Sequence, residues 1–117
     1  MNLKFTRGEL VFLQRRREGM TQRKWGAARD LTWRQVSSME ECLELASAEE
    51  LAGALLGAPT LSEQLIVRRR REKWNRDKLA RKLRCSKRWL LLMELGRVKN
   101  DKLVAFWERH DAATTNP

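Results

Sequence analysis

Tyrosine is absent from the 117 residues, and only two prolines and six glycines interrupt the chain. Alternating β-branched runs are missing too, so the usual material of strands is scarce. Leu, Arg, Glu, Ala and Lys are abundant instead, and these form helices readily. The expectation is an all-α fold. Two cysteines, Cys42 and Cys85, and one histidine, His110, lack the spacing of a zinc site. The thiols are expected to be buried or half-buried in a reducing cytoplasm, with no metal and no cofactor. No apolar stretch reaches the ~18–20 residues of a membrane span. The first ten residues lack a signal peptide's apolar core, which points to a cytoplasmic chain. There is no Gly-rich phosphate loop, no Cys/His pair at catalytic spacing, and no carboxylate pair in an apolar setting. An enzyme is not expected.

What the chain has is positive charge. Its formal net charge is +10 and its pI near 10.6, a balance that favours a polyanionic partner. The charge is unevenly placed. Residues 1–59 hold 9 Lys+Arg against 8 Asp+Glu, and residues 60–117 hold 16 against 7. The second half carries most of the attraction.

The chain also repeats itself. Displaced by 54 positions, Thr6 and Glu9 fall on Thr60 and Glu63, and Arg15-Arg16-Arg17-Glu18 falls on Arg69-Arg70-Arg71-Glu72. Lys24 meets Lys78, Arg34 meets Arg88, and Met39-Glu40 meets Met93-Glu94, with no gap from position 6 to 40. Apolar positions follow: Val11 with Leu65, Leu13 with Val67, Met20 with Trp74, Trp25 with Leu79, Val36 with Leu90. A shared register of caps and apolar residues marks a duplicated unit. The expected domains are 1–58 and 59–117, joined at Gly57-Ala58-Pro59, a linker short enough that the units are expected to pack together.

Each copy reads as four short helices. Thr6 with Glu9 and Thr60 with Glu63 are capping boxes opening helices that run to about Glu18 and Glu72. Thr21 and Asn75 are N-caps of second helices, and Thr32 and Ser86 of third helices. Ser47 opens a fourth helix to about Leu56, and Asp101 plays the same part before residues 102–109. His110 then reads as a residue at the end of the last helix. A second and third helix joined by a tight turn need a small residue where they cross, and Gly26 and Ala80 stand there. Trp25, Leu31 and Val36, and in the second copy Leu79, Leu83, Cys85 and Leu90, anchor the pair.

Residues 75–96, NRDKLARKLRCSKRWLLLMELG, resemble the lambda-repressor/Cro-like helix-turn-helix family at Leu79, Ala80, Leu83, Ser86, Leu90, Glu94 and Gly96. Residues 21–40, TQRKWGAARDLTWRQVSSME, resemble it at Thr21, Gln22, Leu31, Thr32, Val36, Ser37 and Glu40. With the first helices the resemblance spans most of residues 6–110. It departs from the pattern at the turn, where Asp30 and Arg84 replace the usual Gly, at Arg29 in place of an apolar anchor, and at Cys42, where the first copy lacks a closing Gly.

The resemblance implies a tandem of helix-turn-helix bundles that binds double-stranded DNA in sequence-specific fashion, as a transcriptional regulator, a repressor of bacterial or phage type. Its recognition helices would be about 32–40 and 86–95, entering the major groove. Gln22 and Arg76 map to phosphate contacts. Trp33, Arg34, Lys87 and Arg88 map to base edges, and each arginine suits a guanine. Ser37 and Ser38 lie one turn further on and can hydrogen-bond to bases; the matching Leu91 and Leu92 cannot, and either touch a thymine methyl or are buried. Lys99 and Asn100 suit phosphate, whereas the equivalent loop of copy one, Glu40-Glu41-Cys42-Leu43-Glu44, is acidic. Trp33 reads either as a groove contact or as inter-unit packing. The run Arg68-Arg69-Arg70-Arg71 reads either as phosphate contacts or as a solvated, ion-paired face. Trp25, Trp74 and Trp107 read as core. Trp89 and the four apolar residues to Met93 exceed one helical face, so a homodimer or protein partner there is open. The competing function is a protein-interaction module or inhibitor, in which the near-neutral first unit binds a protein and only the second unit, or neither, binds DNA. RNA binding through the arginine-rich helices ranks last.

Overall fold

The computed structural model describes residues 3–55 and 58–115; Leu56 and Gly57, where the fourth helix was expected to end and the linker to begin, lie outside the described residues. The described chain is all-helical: α1 (Arg7–Arg17), α2 (Gln22–Ala27), α3 (Trp33–Glu40), α4 (Ala48–Leu55), α5 (Leu61–Arg71), α6 (Arg76–Leu83), α7 (Lys87–Glu94) and α8 (Asp101–Thr115). Among these residues no strand forms, and the one β-type contact is an isolated antiparallel bridge between Thr6 and Leu45. The helices divide into two compact units, α1–α4 within Leu3–Pro59 and α5–α8 from Thr60 onward.

The helices start where hydroxyl and amide side chains stand. In both units the first helix opens on a complete capping box. The hydroxyls of Thr6 and Thr60 accept from the N–H of Glu9 and Glu63 at 3.1 Å, and each glutamate accepts from the cap N–H at 2.9 Å. Thr21, Asn75, Thr32 and Ser86 cap the next four helices. Ser47 and Glu50 form a further reciprocal pair before α4. Each such cap satisfies an orphan donor and stabilises its helix by ~1 kcal/mol.

The two tight turns follow the same geometry in both units. Asp30 and Arg84 adopt left-handed backbone angles, φ 57° and 56°. The N–H of the next residue then reaches back, Leu31 to the Gly26 carbonyl at 2.8 Å and Cys85 to the Ala80 carbonyl at 3.0 Å. That conformation costs a non-glycine residue ~1–2 kcal/mol, and the third helix crossing behind it holds it in place. The crossing itself is tight: a Cβ on Gly26 would lie 2.7 Å from the Leu31 carbonyl oxygen and 2.9 Å from Val36 Cγ2.

The second unit's core gathers Leu65, Leu79, Ala80, Leu83, Leu90, Met93, Leu103 and Trp107, with Trp74, Cys85, Val98, Val104 and Phe106 packed against it. In the first unit Phe5, Leu10, Leu13, Trp25, Val36 and Leu55 are buried. Where the family pattern has an apolar anchor, Arg29 instead lies over the buried Trp25 ring, its Cζ 3.7 Å from the centroid.

Two expectations need correction. The last helix begins at Asp101 rather than after it, because the Asn100 carbonyl already accepts from the Val104 N–H at 3.0 Å, and it runs past residue 109 to Thr115. His110 is therefore not a terminal residue. Its ring is half-buried against Trp74, Phe106 and Trp107, with centroids 5.3–6.0 Å away, and Nε2 lies 3.3 Å from Glu72 Oε1.

Candidate nucleic-acid interface

The third helix of each unit turns one face inward. Val36 and Glu40 of α3, and Leu90, Met93 and Glu94 of α7, are buried. At 100° per residue the opposite side carries Arg34 and Ser38 in α3, and Arg88 and Leu92 in α7. Trp33, Arg34 and Ser38 are exposed and Ser37 is half-buried; Lys87, Arg88 and Trp89 are exposed and Leu91 and Leu92 are half-buried. The base-edge candidates of both copies thus lie on the outer surface of a capped helix, at its N-terminal end.

Behind each of these helices sits a carboxylate that sequence reasoning treated as a pattern residue only. Glu40 is 4% exposed and Glu94 not at all. Arg15 donates to Glu40 through Nε (2.7 Å) and Nη2 (3.0 Å), and its Nη1 donates to the Met20 carbonyl at 3.1 Å. Arg69 donates to Glu94 through Nε at 2.8 Å and to the Trp74 carbonyl at 3.1 Å. The second carboxylate oxygen in each case accepts from the first residue of the second helix, Gln22 at 3.3 Å and Arg76 at 3.2 Å. These charge-assisted bonds tie α1, α2 and α3 together, and likewise α5, α6 and α7. Gln22 and Arg76, expected at phosphates, are therefore held from behind by a buried carboxylate. The signal for this was present in the repeat, since Arg15/Arg69 and Glu40/Glu94 coincide at the same offset.

Two members of the arginine run turn inward. Arg68 is buried and bonds both Asp111 and Glu72, with its Cζ 4.7 Å above the Trp107 ring, and Arg69 serves Glu94. Burial disfavours the Arg68 charge, but the hydrogen bonds and charges of Asp111 and Glu72 outweigh it and raise its pKa. These two arginines brace the fold. Burial likewise pushes the Glu72 carboxyl up, yet the Arg68 hydrogen bond and charge, then His110, hold it below the usual carboxylate range.

This internal use of acids shapes the surface. Of the seven acidic residues after Pro59, Glu63 caps α5, Glu94 is buried, and Glu72 and Asp111 meet Arg68. Only Asp77, Asp101 and Glu108 are exposed. The exposed cations around α7 include Lys78, Arg81, Lys82, Arg84, Lys87, Arg88, Arg97 and Lys99; Asn100 is half-buried at the start of α8. In the first unit the balance differs. The loop after α3 pairs with the first turn of α1, through the Gly8 N–H to the Cys42 carbonyl at 3.1 Å and the Arg7 N–H to the Glu44 carbonyl at 2.7 Å. Arg7 also meets the carboxylates of Glu44 and Glu50. The acidic loop is thereby tied to its own unit, and no closing glycine is needed there.

No family model, curated protein or solved structure matches the chain. Among the described residues no three His, Cys, Asp or Glu side chains converge to hold a metal ion, and no helix is long and apolar enough to cross a membrane.

Proposed function

We propose that the chain binds double-stranded DNA through two tandem helix-turn-helix units of lambda-repressor/Cro-like type and regulates transcription as a repressor. The observation that carries this reading is the outward placement, in both units, of the N-terminal end of α3 and α7 with Trp33-Arg34 and Lys87-Arg88 exposed. The basic surface around α7 supplies the sequence-independent attraction, and Arg34 and Arg88 supply guanine contacts. Arg97 and Lys99 flank the second unit's helix and suit phosphates.

The test uses the full chain and random duplex DNA, with retardation measured at low and moderate salt, followed by selection of bound sequences. Binding should weaken steeply with salt. Arg88→Ala should relax preference at one base pair, at a cost of ~1–3 kcal/mol for the preferred sequence. Lys99→Ala should weaken all sequences alike. No retardation at low salt would overturn the proposal. A second reading, in which the first unit docks a protein, draws on Leu43 and Leu45, which are 85% and 61% exposed beside Glu41 and Glu44. It is favoured if Arg34→Ala leaves DNA affinity and preference unchanged while Arg88→Ala alters both.

A further inference from the structure

The junction of α2 and α3 differs in kind between the units. In the second, Asp77 and Lys87 meet there as an ion pair at 3.7 Å. At the equivalent positions the first unit has Arg23 and Trp33, and the Arg23 Cζ lies 5.5 Å from the indole centroid. Arg34 stands at the same distance from the ring. Trp33 is 40% exposed and borders an open cavity of about 610 Å³ lined by Arg15, Thr21, Gln22, Arg23 and Trp33. That volume lies within the ~300–1,000 Å³ of small-ligand sites.

We propose that this junction is a nucleotide-binding platform, with Trp33 stacking on an unpaired base and Arg23 and Arg34 taking the attached phosphate. Three features support the assignment. An exposed indole offers a π-face to any base, which is the basis of sequence-tolerant single-strand binding. Two guanidiniums lie over the ring itself, each 5.5 Å from its centroid, and add charge and their own stacking capacity, so an incoming base takes the place of one of them on the indole. Glu40, the acidic partner of the lining residues Arg15 and Gln22, is buried with both oxygens accepting from them, so its charge is compensated and does not repel an anion. The duplicated unit shows that the fold does not require this arrangement, because an Asp–Lys pair closes the same place. The proposal does not rest on duplex recognition, which Arg88 and the second unit can supply without it.

The ligand is a nucleobase bearing a phosphate, either as a free nucleotide or as an unpaired residue of a strand. The experiment titrates the full chain with labelled oligothymidylate, followed by anisotropy, and separately with a nucleoside monophosphate or inorganic phosphate as competitor. Trp33→Ala should weaken strand binding about tenfold or more, with an unchanged melting curve. Trp33→Phe should retain most of it. Arg23→Asp, which recreates the second unit's charge, should abolish it, and Arg88→Ala should leave it intact. Competition by the monophosphate identifies a free nucleotide as sufficient, and its failure assigns the site to an unpaired base in a strand; either outcome supports the platform. Equal affinity of the Trp33→Ala and wild-type chains for the strand would overturn it. So would inorganic phosphate competing as well as the nucleotide, since only an anion patch would remain. Binding of duplex alone, sensitive to Trp33, would place the indole in a duplex groove and also overturn it.

Discussion

Arg69→Met removes the main partner of a carboxylate that has no exposure to water. Glu94 accepts from Arg69 Nε at 2.8 Å and from Arg76 Nε at 3.2 Å. Removing one member of a buried pair costs ~3–5 kcal/mol, because the remaining charge stays desolvated. Arg76 stays in place and keeps part of that compensation, so the expected cost is at the lower end, ~3 kcal/mol. For a unit of this size that corresponds to a fall in melting temperature of very roughly 12–24 °C. In the first unit the second partner of Glu40 is the neutral Gln22 rather than an arginine. Arg15→Met should therefore cost more, towards ~5 kcal/mol. Urea titration followed by circular dichroism, on the two single variants and on the pair Arg69→Met/Glu94→Leu, decides the matter. Replacing both charges by apolar groups should recover most of the loss, because the penalty lies in the unpaired carboxylate and not in the absence of an attraction. The reasoning is refuted if Arg69→Met costs under ~1 kcal/mol, or if the double variant is no more stable than the single one.

Three further outcomes follow from the geometry. A Cβ on Gly8 would lie 2.4 Å from the Glu40 carbonyl oxygen and 2.8 Å from the Cys42 nitrogen, both backbone atoms, so Gly8→Ala should destabilise the first unit by ~1–3 kcal/mol in a chemical melt; Ser62, its equivalent, instead donates its hydroxyl to the Glu94 carbonyl. Arg84→Gly should raise stability by up to ~1 kcal/mol, since the left-handed turn then carries no Cβ penalty, with thermal unfolding as the readout. The Glu72 carboxyl is held below its ordinary range by Arg68 and His110 against the opposing effect of burial. Its contribution is therefore present above the unfolded-state value of ~4.3 and fades as pH falls through the lower folded value. The group is partly exposed, so Glu72→Gln should cost no more than ~1 kcal/mol near neutrality, and the difference from wild type should vanish in melts performed in strong acid.

Much of the helical layout was legible before any coordinates. Capping boxes act between a residue and its third successor, so Thr6, Thr32 and Thr60 announce their helices whatever surrounds them. The spacing of the second and third helices placed the small crossing residues Gly26 and Ala80, and the helix-turn-helix resemblance placed the turns at Asp30 and Arg84, because close helix crossing imposes local demands on residue size and backbone angle. Composition alone pointed to helices without strands.

What tertiary structure decided is where charge goes. A run of four arginines on one helix covers several faces, and only packing determined that Arg68 and Arg69 turn inward to Asp111, Glu72 and Glu94. His110 gained its aromatic and acidic neighbours because α8 folds back over α5 and Trp74, a non-local event that no neighbour in the sequence encodes. The same holds for the contrast between Arg23–Trp33 and Asp77–Lys87, where two helices must meet before either pair exists. Local hydrogen bonds are written in adjacent letters, whereas the solvation of a charged side chain depends on what the rest of the chain places over it.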